Sequence, residues 1–194
     1  MTRAEEEIAV HERKTLGFWI YLMTDCVLFA ALFATFAVLR NATDNGPGGA
    51  ELFDLPFVLV ETFVLLTSSF TIGLALLASV RKLKAQTFFW LFVTFVLGVV
   101  FLSMELYEFM MLINEGHGPQ QSAFLSSYFT LVATHGIHIA IGLLWMIVVV
   151  IRLWRGNFKQ RDINRLALLG LFWHFLDIIW IFIFSFVYLI GGMA

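Results

Sequence analysis

Eight ionisable side chains interrupt the apolar parts of this 194-residue chain. They are Asp25, Glu61, Glu105, Glu108, His135, His138, His174 and Asp177. Six of them form three pairs spaced i, i+3, which places each pair on one face of a helix. Carboxylates and imidazoles in such positions can bind a metal, ligate a haem, pass protons or join helices by hydrogen bonds.

The spacing of these residues does not match a metal or haem site. A carboxylate-bridged di-metal centre uses Glu-x-x-His on two helices together with further glutamates. Here Glu105 and Glu108 form Glu-x-x-Glu, whereas His135 and His138 form His-x-x-His on another helix. Nothing specifies which imidazoles would face a haem, and the single cysteine, Cys26, excludes a paired-cysteine copper centre. We therefore expect no catalytic, cofactor-binding or metal-binding residue in this chain.

Two interpretations remain open for the buried polar groups. Intramembrane carboxylates and imidazoles often form proton relays. The alternative is that they form interhelical hydrogen bonds that fix helix order and register. Because insertion of one charged group at a helix centre costs about 2.5–3.5 kcal/mol, each of them needs a partner inside the protein.

The composition indicates a membrane protein. Hydrophobic residues make up 60% of the chain and charged residues 13%, with a mean hydropathy of +0.88, whereas soluble domains have about 45–50% and about 25%. We predict an all-α, polytopic integral membrane protein in which residues 1–15 form a cytoplasmic tail and residues 16–194 one five-helix bundle. The expected spans are Leu16–Leu39, Phe57–Val80, Phe88–Ile113, Ser126–Ile151 and Leu166–Ile190.

The basic residues predict the orientation of the bundle. Eleven of the twelve Lys and Arg residues fall in the N-terminal tail, the second loop or the fourth loop, and only Arg40 lies on the other side. The positive-inside rule then places the N-terminus in the cytoplasm and the C-terminus outside.

The depth of each ionisable residue follows from its distance to the helix ends. Asp25 and His174 fall in the inner half and Asp177 near the middle. The outer half receives Glu61, Glu105, Glu108, His135 and His138. We expect these outer residues to form one network, in which at least one carboxylate lies within hydrogen-bonding distance of a histidine.

Several motifs together resemble one protein family. They are GFWIYLMTDCVLFAALFATFAVL, LPFVLVETFVLLTSS, MELYEF, THGIHIAIGLLW and FWHFLDIIWIFIFSFVYLIGG. In this order they are similar to subunit III of the haem-copper terminal oxidases, over nearly all of residues 16–194. Relative to the cytochrome c oxidase form, the chain lacks two additional N-terminal helices, has Asp25 in place of a glutamate and has Glu61 where an amide is usual. It therefore looks most like the subunit III of cytochrome o (bo-type) ubiquinol oxidases.

The resemblance implies an accessory role in aerobic respiration. In this family, subunit I holds the haems, the copper and the proton channels, and subunit III holds no redox centre. Its helices form a V-shaped cleft that contains phospholipid and flank subunit I in the bacterial inner membrane. The resemblance thus implies that the chain belongs to an enzyme complex without being catalytic itself.

The same resemblance gives roles to three residues. His174 and Asp177 are expected to anchor the last helix by interhelical hydrogen bonds. Asp25 is expected to border the lipid cleft, where it makes a packing hydrogen bond or helps to supply protons to subunit I together with the acidic tail. The tail residues in question are Glu5, Glu6, Glu7, His11 and Glu12. A subunit of a c-type oxidase and a free-standing transporter or proton channel remain as alternatives.

Overall fold

The computed structural model describes residues 3–44, 46, 48–155 and 160–191. These residues form six α-helices, and no β-strand occurs among them. The helices are α1 (Arg3–Leu39), α2 (Gly49–Leu52), α3 (Leu55–Val80), α4 (Lys84–Asn114), α5 (Ala123–Arg155) and α6 (Gln160–Ile183). Helix α6 continues directly as a π-helical segment, Phe184–Leu189. The predicted all-α fold is confirmed.

Five of these helices are long and apolar enough to cross a membrane, and α2 is the short exception. The predicted number of spans is therefore confirmed. Their bounds are wider than predicted, because α4 begins at Lys84 rather than Phe88 and α5 runs to Arg155 rather than Ile151. Hydropathy marks only the part of a helix that suits hydrocarbon, whereas backbone hydrogen bonding continues into the polar interface.

Helix α1 also extends through part of the segment that we assigned to a tail, since it begins at Arg3. The side chains of Glu5, Glu6, Glu7, His11 and Glu12 lie outside the described residues. Their role near the proton entry of a partner subunit stays a prediction.

Helices α3, α4, α5 and α6 form the core of the bundle, and α1 packs on its outside. Helix α3 packs along α4 and α6, and α5 packs on α4, α6 and α1. The large side chains of Trp173 and Trp180 on α6 are completely buried between these helices. Only 22% of the most apolar stretch of α1 is buried, compared with 56% for the last helix. Most of the surface of α1 between Thr15 and Leu39 is thus apolar and uncovered within this chain.

Aromatic side chains close one end of the bundle, which we call the α2 end because the loop that contains α2 lies there. The ring of Phe53, just after α2, lies 4.9 Å from the rings of both Tyr128 and Tyr188. Phe124 contacts Phe53 from the start of α5, with a centroid distance of 6.2 Å. These rings cover the polar groups that lie deeper in the bundle.

Candidate functional site: buried polar groups between the helices

Six of the eight predicted residues are buried. Asp25, Glu61, Glu105, Glu108, His135 and Asp177 are each at most 8% exposed. His138 is half-buried and His174 is exposed. The eight residues do not form one site, because their side chains contact different neighbouring helices.

Glu108 belongs to a chain of hydroxyl groups near the α2 end. The Tyr188 hydroxyl donates to Glu108 Oε2 at 2.9 Å, and the Tyr128 and Tyr188 hydroxyls are 3.0 Å apart. Since Tyr188 uses its proton for the carboxyl, Tyr128 donates to Tyr188. This chain joins α4, α5 and the π-helical segment. A π-helical turn shifts the register of the following residues, and here Tyr188 lies within such a turn.

Glu61 and Glu105 lie close to Glu108 but have no comparable partner. Glu61 on α3 interacts electrostatically with both glutamates of α4. The Glu105 carboxyl packs against the backbone of α5 at Gly136, where an added Cβ would be 2.5 Å from Oε1. Among the described residues, all four oxygens of Glu61 and Glu105 lack a hydrogen-bond partner.

His135 bonds to the backbone of α6 rather than to a carboxylate. Its Nε2 lies 3.2 Å from the carbonyl oxygen of Leu176. A carbonyl only accepts, so Nε2 carries the hydrogen and Nδ1, which has no partner among the described residues, is an acceptor. The ring lies between Phe101 and Trp180, with centroid distances of 5.8 Å and 5.2 Å.

The predicted hydrogen bond between an outer glutamate and a histidine is therefore wrong for the described residues. Tyr188 occupies the carboxyl of Glu108, and the N–H groups of both histidines bond to backbone carbonyls. These carbonyls and hydroxyls are strong partners that the sequence pattern of charged residues does not reveal.

His138 faces Asp25 across the interface of α5 and α1. Its Nδ1 donates to the carbonyl of Thr134 at 2.7 Å, and its Nε2 lies 3.8 Å from Asp25 Oδ2. The residue count placed Asp25 and His138 in different halves of the bundle, but their contact puts them at a similar level. The number of residues to a helix end gives the depth only if the helix is parallel to the membrane normal. In tilted helices, residues at different distances from their helix ends can lie at the same level.

His174 joins α6 to α3, as expected from the resemblance. Its Nδ1 lies 2.6 Å from Ser69 Oγ. Asp177, one turn further on, lies beside the same serine and interacts electrostatically with His174. The two residues thus share one partner on α3, although the imidazole itself is exposed to the surroundings of this chain.

Two tryptophans contribute contacts that the sequence reasoning missed. The indole N–H of Trp173 donates to Ser68 Oγ at 2.9 Å, and that of Trp180 donates to Thr62 Oγ1 at 3.0 Å. Trp173 and Trp180 are seven residues apart, which places both indoles on one face of α6. That spacing was the available signal. It was overlooked because tryptophans in membrane helices are usually assigned to the interface.

The arrangement can form hydrogen bonds between helices and can hold protons on buried carboxyls. No group of three or more His, Cys, Asp or Glu side chains in the described part of the chain is arranged to hold a metal ion. The fold and the site together define a polytopic helical membrane protein whose buried polar groups connect its own helices.

The chain belongs to the cytochrome c oxidase subunit III family, whose sequence model matches residues 2–192. Among its relatives is the cytochrome bo(3) ubiquinol oxidase subunit 3 of Pseudomonas aeruginosa, which is 55% identical over 91% of this chain and 85% of its own. The protein of the same name from Buchnera aphidicola is 47% identical over 94% of both chains. A probable quinol oxidase subunit 3 from Staphylococcus aureus is 40% identical over 93% of this chain and 90% of its own.

Proposed function

We propose that this chain is the accessory subunit III of a bacterial ubiquinol oxidase of the cytochrome o type. In this role it carries no redox centre, and it stabilises the subunit that holds the haems and copper while that subunit couples quinol oxidation and oxygen reduction to proton translocation. The observation that carries the proposal is the 55% identity to a ubiquinol oxidase subunit 3 over 91% of the chain. Relatives named as quinol oxidase subunits favour this function over that of a c-type oxidase subunit.

The surface of α1 supports contact with a larger membrane partner. The residues that α1 turns towards the bundle, Leu22, Phe29 and Phe36, are at most 2% exposed. On other faces, Val27 and Val38 are 71% and 80% exposed. An apolar surface of this length suits a neighbouring transmembrane helix or lipid. We assign it to subunit I, which is the main partner of subunit III in this family.

A basic cavity supports the binding of phospholipid. Arg152 and Arg155 at the end of α5 and Arg165 on α6 line a cavity of about 540 Å³, together with the apolar side chains of Val148 and Ile151. Asp162 pairs with Arg165 at 3.4 Å and leaves two further guanidinium groups in the same cavity. Basic cavities between membrane helices bind the head groups of anionic lipids.

The distribution of Lys and Arg supports a location in the bacterial cytoplasmic membrane with the N-terminus in the cytoplasm. Eleven of the twelve basic residues fall on one side of the five spans. Fusion of a reporter that is active only outside the cytoplasm tests this orientation. We expect activity from a fusion at Ala42 and none from a fusion at Lys82, and the reverse result would contradict the assignment.

Purification of the complex through a tag on this chain tests the proposed function. The tagged chain is expected to bring down a larger subunit with haem absorption, and the complex is expected to oxidise ubiquinol and not reduced cytochrome c. Oxidation of cytochrome c and a dinuclear copper centre would indicate the c-type alternative. Purification of the chain alone, with ion or proton conductance in vesicles, would indicate a transporter or channel.

Removal of the basic cavity tests lipid binding in the same preparation. Arg152→Gln together with Arg155→Gln is expected to lower the amount of anionic phospholipid that copurifies. Arg81→Gln, an exposed arginine in the turn between α3 and α4, is the control and is expected to change nothing. Equal lipid content in both variants would contradict this part of the proposal.

A further inference from the structure

The carboxyls of Glu61 and Glu105 take no part in the hydrogen bonds between the described helices. Glu61 is 0% and Glu105 1% exposed, and their four oxygens have no hydrogen-bond partner among the described residues. Glu108, in contrast, accepts from Tyr188. An unsatisfied polar group in a protein interior is destabilising, and native proteins contain few of them. Four such oxygens in one region indicate that something else bonds to them.

Helices α3, α4, α5 and α6 border the region around these carboxyls. Glu61 comes from α3 and Glu105 from α4, and the Glu105 carboxyl lies directly against α5 at Gly136. The absence of a Cβ at Gly136 leaves space that the carboxyl occupies. Thr62, the residue after Glu61, accepts the indole N–H of Trp180, so α6 closes the remaining side.

His135 gives a second and independent sign of a missing partner. It immediately precedes Gly136, is 0% exposed, and its Nδ1 is an acceptor without a donor among the described residues. Its ring contacts Trp180, which also bonds to the residue next to Glu61. Within the described residues, His135 therefore adds an unused acceptor on α5, next to the glycine that the Glu105 carboxyl contacts.

The chemistry of these groups selects the ligand. No Lys or Arg occurs within the five apolar runs of the sequence, so neither residue type pairs with the two carboxyls from within these runs. An ionised carboxyl without a partner is costly to bury, whereas a protonated carboxyl has one hydrogen to donate and oxygens that accept. A small neutral molecule that both donates and accepts fits this set, and buried water typically makes about three such bonds.

We propose that Glu61 and Glu105 form an enclosed water-binding site between α3, α4 and α5, in which both carboxyls are protonated and His135 Nδ1 accepts a further hydrogen bond. The site gives α3 and α4 a shared polar contact that no direct bond between these carboxyls supplies.

Infrared spectroscopy tests both the protonation and the hydrogen bonding of these two carboxyls. It is applied to the native complex with which the chain purifies. Glu61→Gln and Glu105→Gln keep the shape of the side chains, and each is expected to remove intensity from the C=O stretch of a hydrogen-bonded carboxylic acid. Glu115→Gln, at the exposed end of α4, is the matched control and is expected to remove only a carboxylate band. Loss of a carboxylate band from the buried variants, or of an acid band at the frequency of a free carboxyl, would overturn the proposal.

A double-substitution cycle tests whether the two carboxyls share one ligand. Glu61→Met and Glu105→Met are each expected to lower the midpoint temperature of the complex, and the double variant is expected to lose clearly less than the sum. Strictly additive losses would overturn the shared site. A high-resolution map of the complex is expected to show water within hydrogen-bonding distance of both carboxyls, and apolar contact in its place would also overturn it. Neither readout requires quinol oxidation, so failure here is distinguishable from failure of the proposed function.

Discussion

Substitution of Gly136 tests whether the buried Glu105 carboxyl fills the space beside this glycine. Substitution Gly136→Ala would place a Cβ 2.5 Å from Glu105 Oε1, 2.9 Å from Oε2 and 3.0 Å from Cδ. The carboxyl is the mobile end of its side chain, but Glu105 is only 1% exposed, so the carboxyl cannot turn out of the bundle. The helices must therefore separate, or the carboxyl must leave its position.

The magnitude follows from two opposing effects. Overpacking of a well-packed interior costs about 1–3 kcal/mol, whereas alanine in place of glycine within a helix contributes about 0.4–1 kcal/mol of stability. We expect a net loss of about 1–2 kcal/mol for Gly136→Ala, which is roughly 2–8 °C in midpoint temperature for a chain of this size.

Gly170→Ala is the matched control. Gly170 is a buried helical glycine on α6, and a Cβ added there meets nothing within 4 Å. This substitution is expected to leave the midpoint unchanged or to raise it. Both variants are compared with the parent complex by thermal unfolding in one detergent at one scan rate, because membrane complexes unfold irreversibly.

Shortening the opposing side chain provides the rescue. Gly136→Ala combined with Glu105→Asp keeps a carboxyl but removes one methylene, so part of the lost stability is expected to return. Equal midpoints for Gly136→Ala and Gly170→Ala, or no rescue by Glu105→Asp, would refute the conclusion that the carboxyl fills the space at Gly136.

Three further predictions concern the contacts between helices. Ser69→Ala and His174→Ala are each expected to cost about 0.6–1.7 kcal/mol, and the double variant no more than one of them, in a thermal unfolding cycle. Trp180→Phe and Thr62→Val are expected to behave in the same way, because each leaves a buried group of the other unpaired; additive losses would contradict the bond. Asp25→Asn is expected to leave turnover and enzyme lifetime unchanged while Asp25→Ala weakens subunit retention, and a clear turnover defect of the Asn variant at alkaline pH with normal assembly would contradict a packing role.

The number and approximate extent of the spans could be predicted from the sequence, because hydrocarbon requires long apolar helices with satisfied backbones. Some of the residues that make polar contacts could also be selected, since charged groups in such helices are rare and need partners, although this criterion does not select Trp173 or Trp180. The helix of the last motif illustrates this: His174 and Asp177 share a face, and both meet Ser69 on α3.

The partners of the other pairs could not be predicted. Residues three apart in a helix differ by about 60° around its axis, so at a junction of three helices they face different neighbours. Glu105 lies against α5 while Glu108 bonds to Tyr188, and His135 bonds to α6 while His138 faces α1. Which neighbour each one meets depends on helix rotation and tilt, and neither is encoded in spacing along one helix.

These contacts also show how α1 differs from the other spans in the interactions that hold it in the bundle. Lipid is as apolar as a leucine side chain, so apolar packing alone distinguishes poorly between correct and incorrect helix neighbours, and polar contacts worth about 0.6 kcal/mol on average supply the difference. Hydrogen bonds from His174, Trp173 and Trp180 join α6 to α3. The contact of α1 with α5 through Asp25 and His138 is 3.8 Å long, beyond hydrogen-bonding distance. Because α1 is also the least buried span, the contacts within this chain fix its position less firmly than that of the other spans, and we predict that the proposed membrane partner completes its packing.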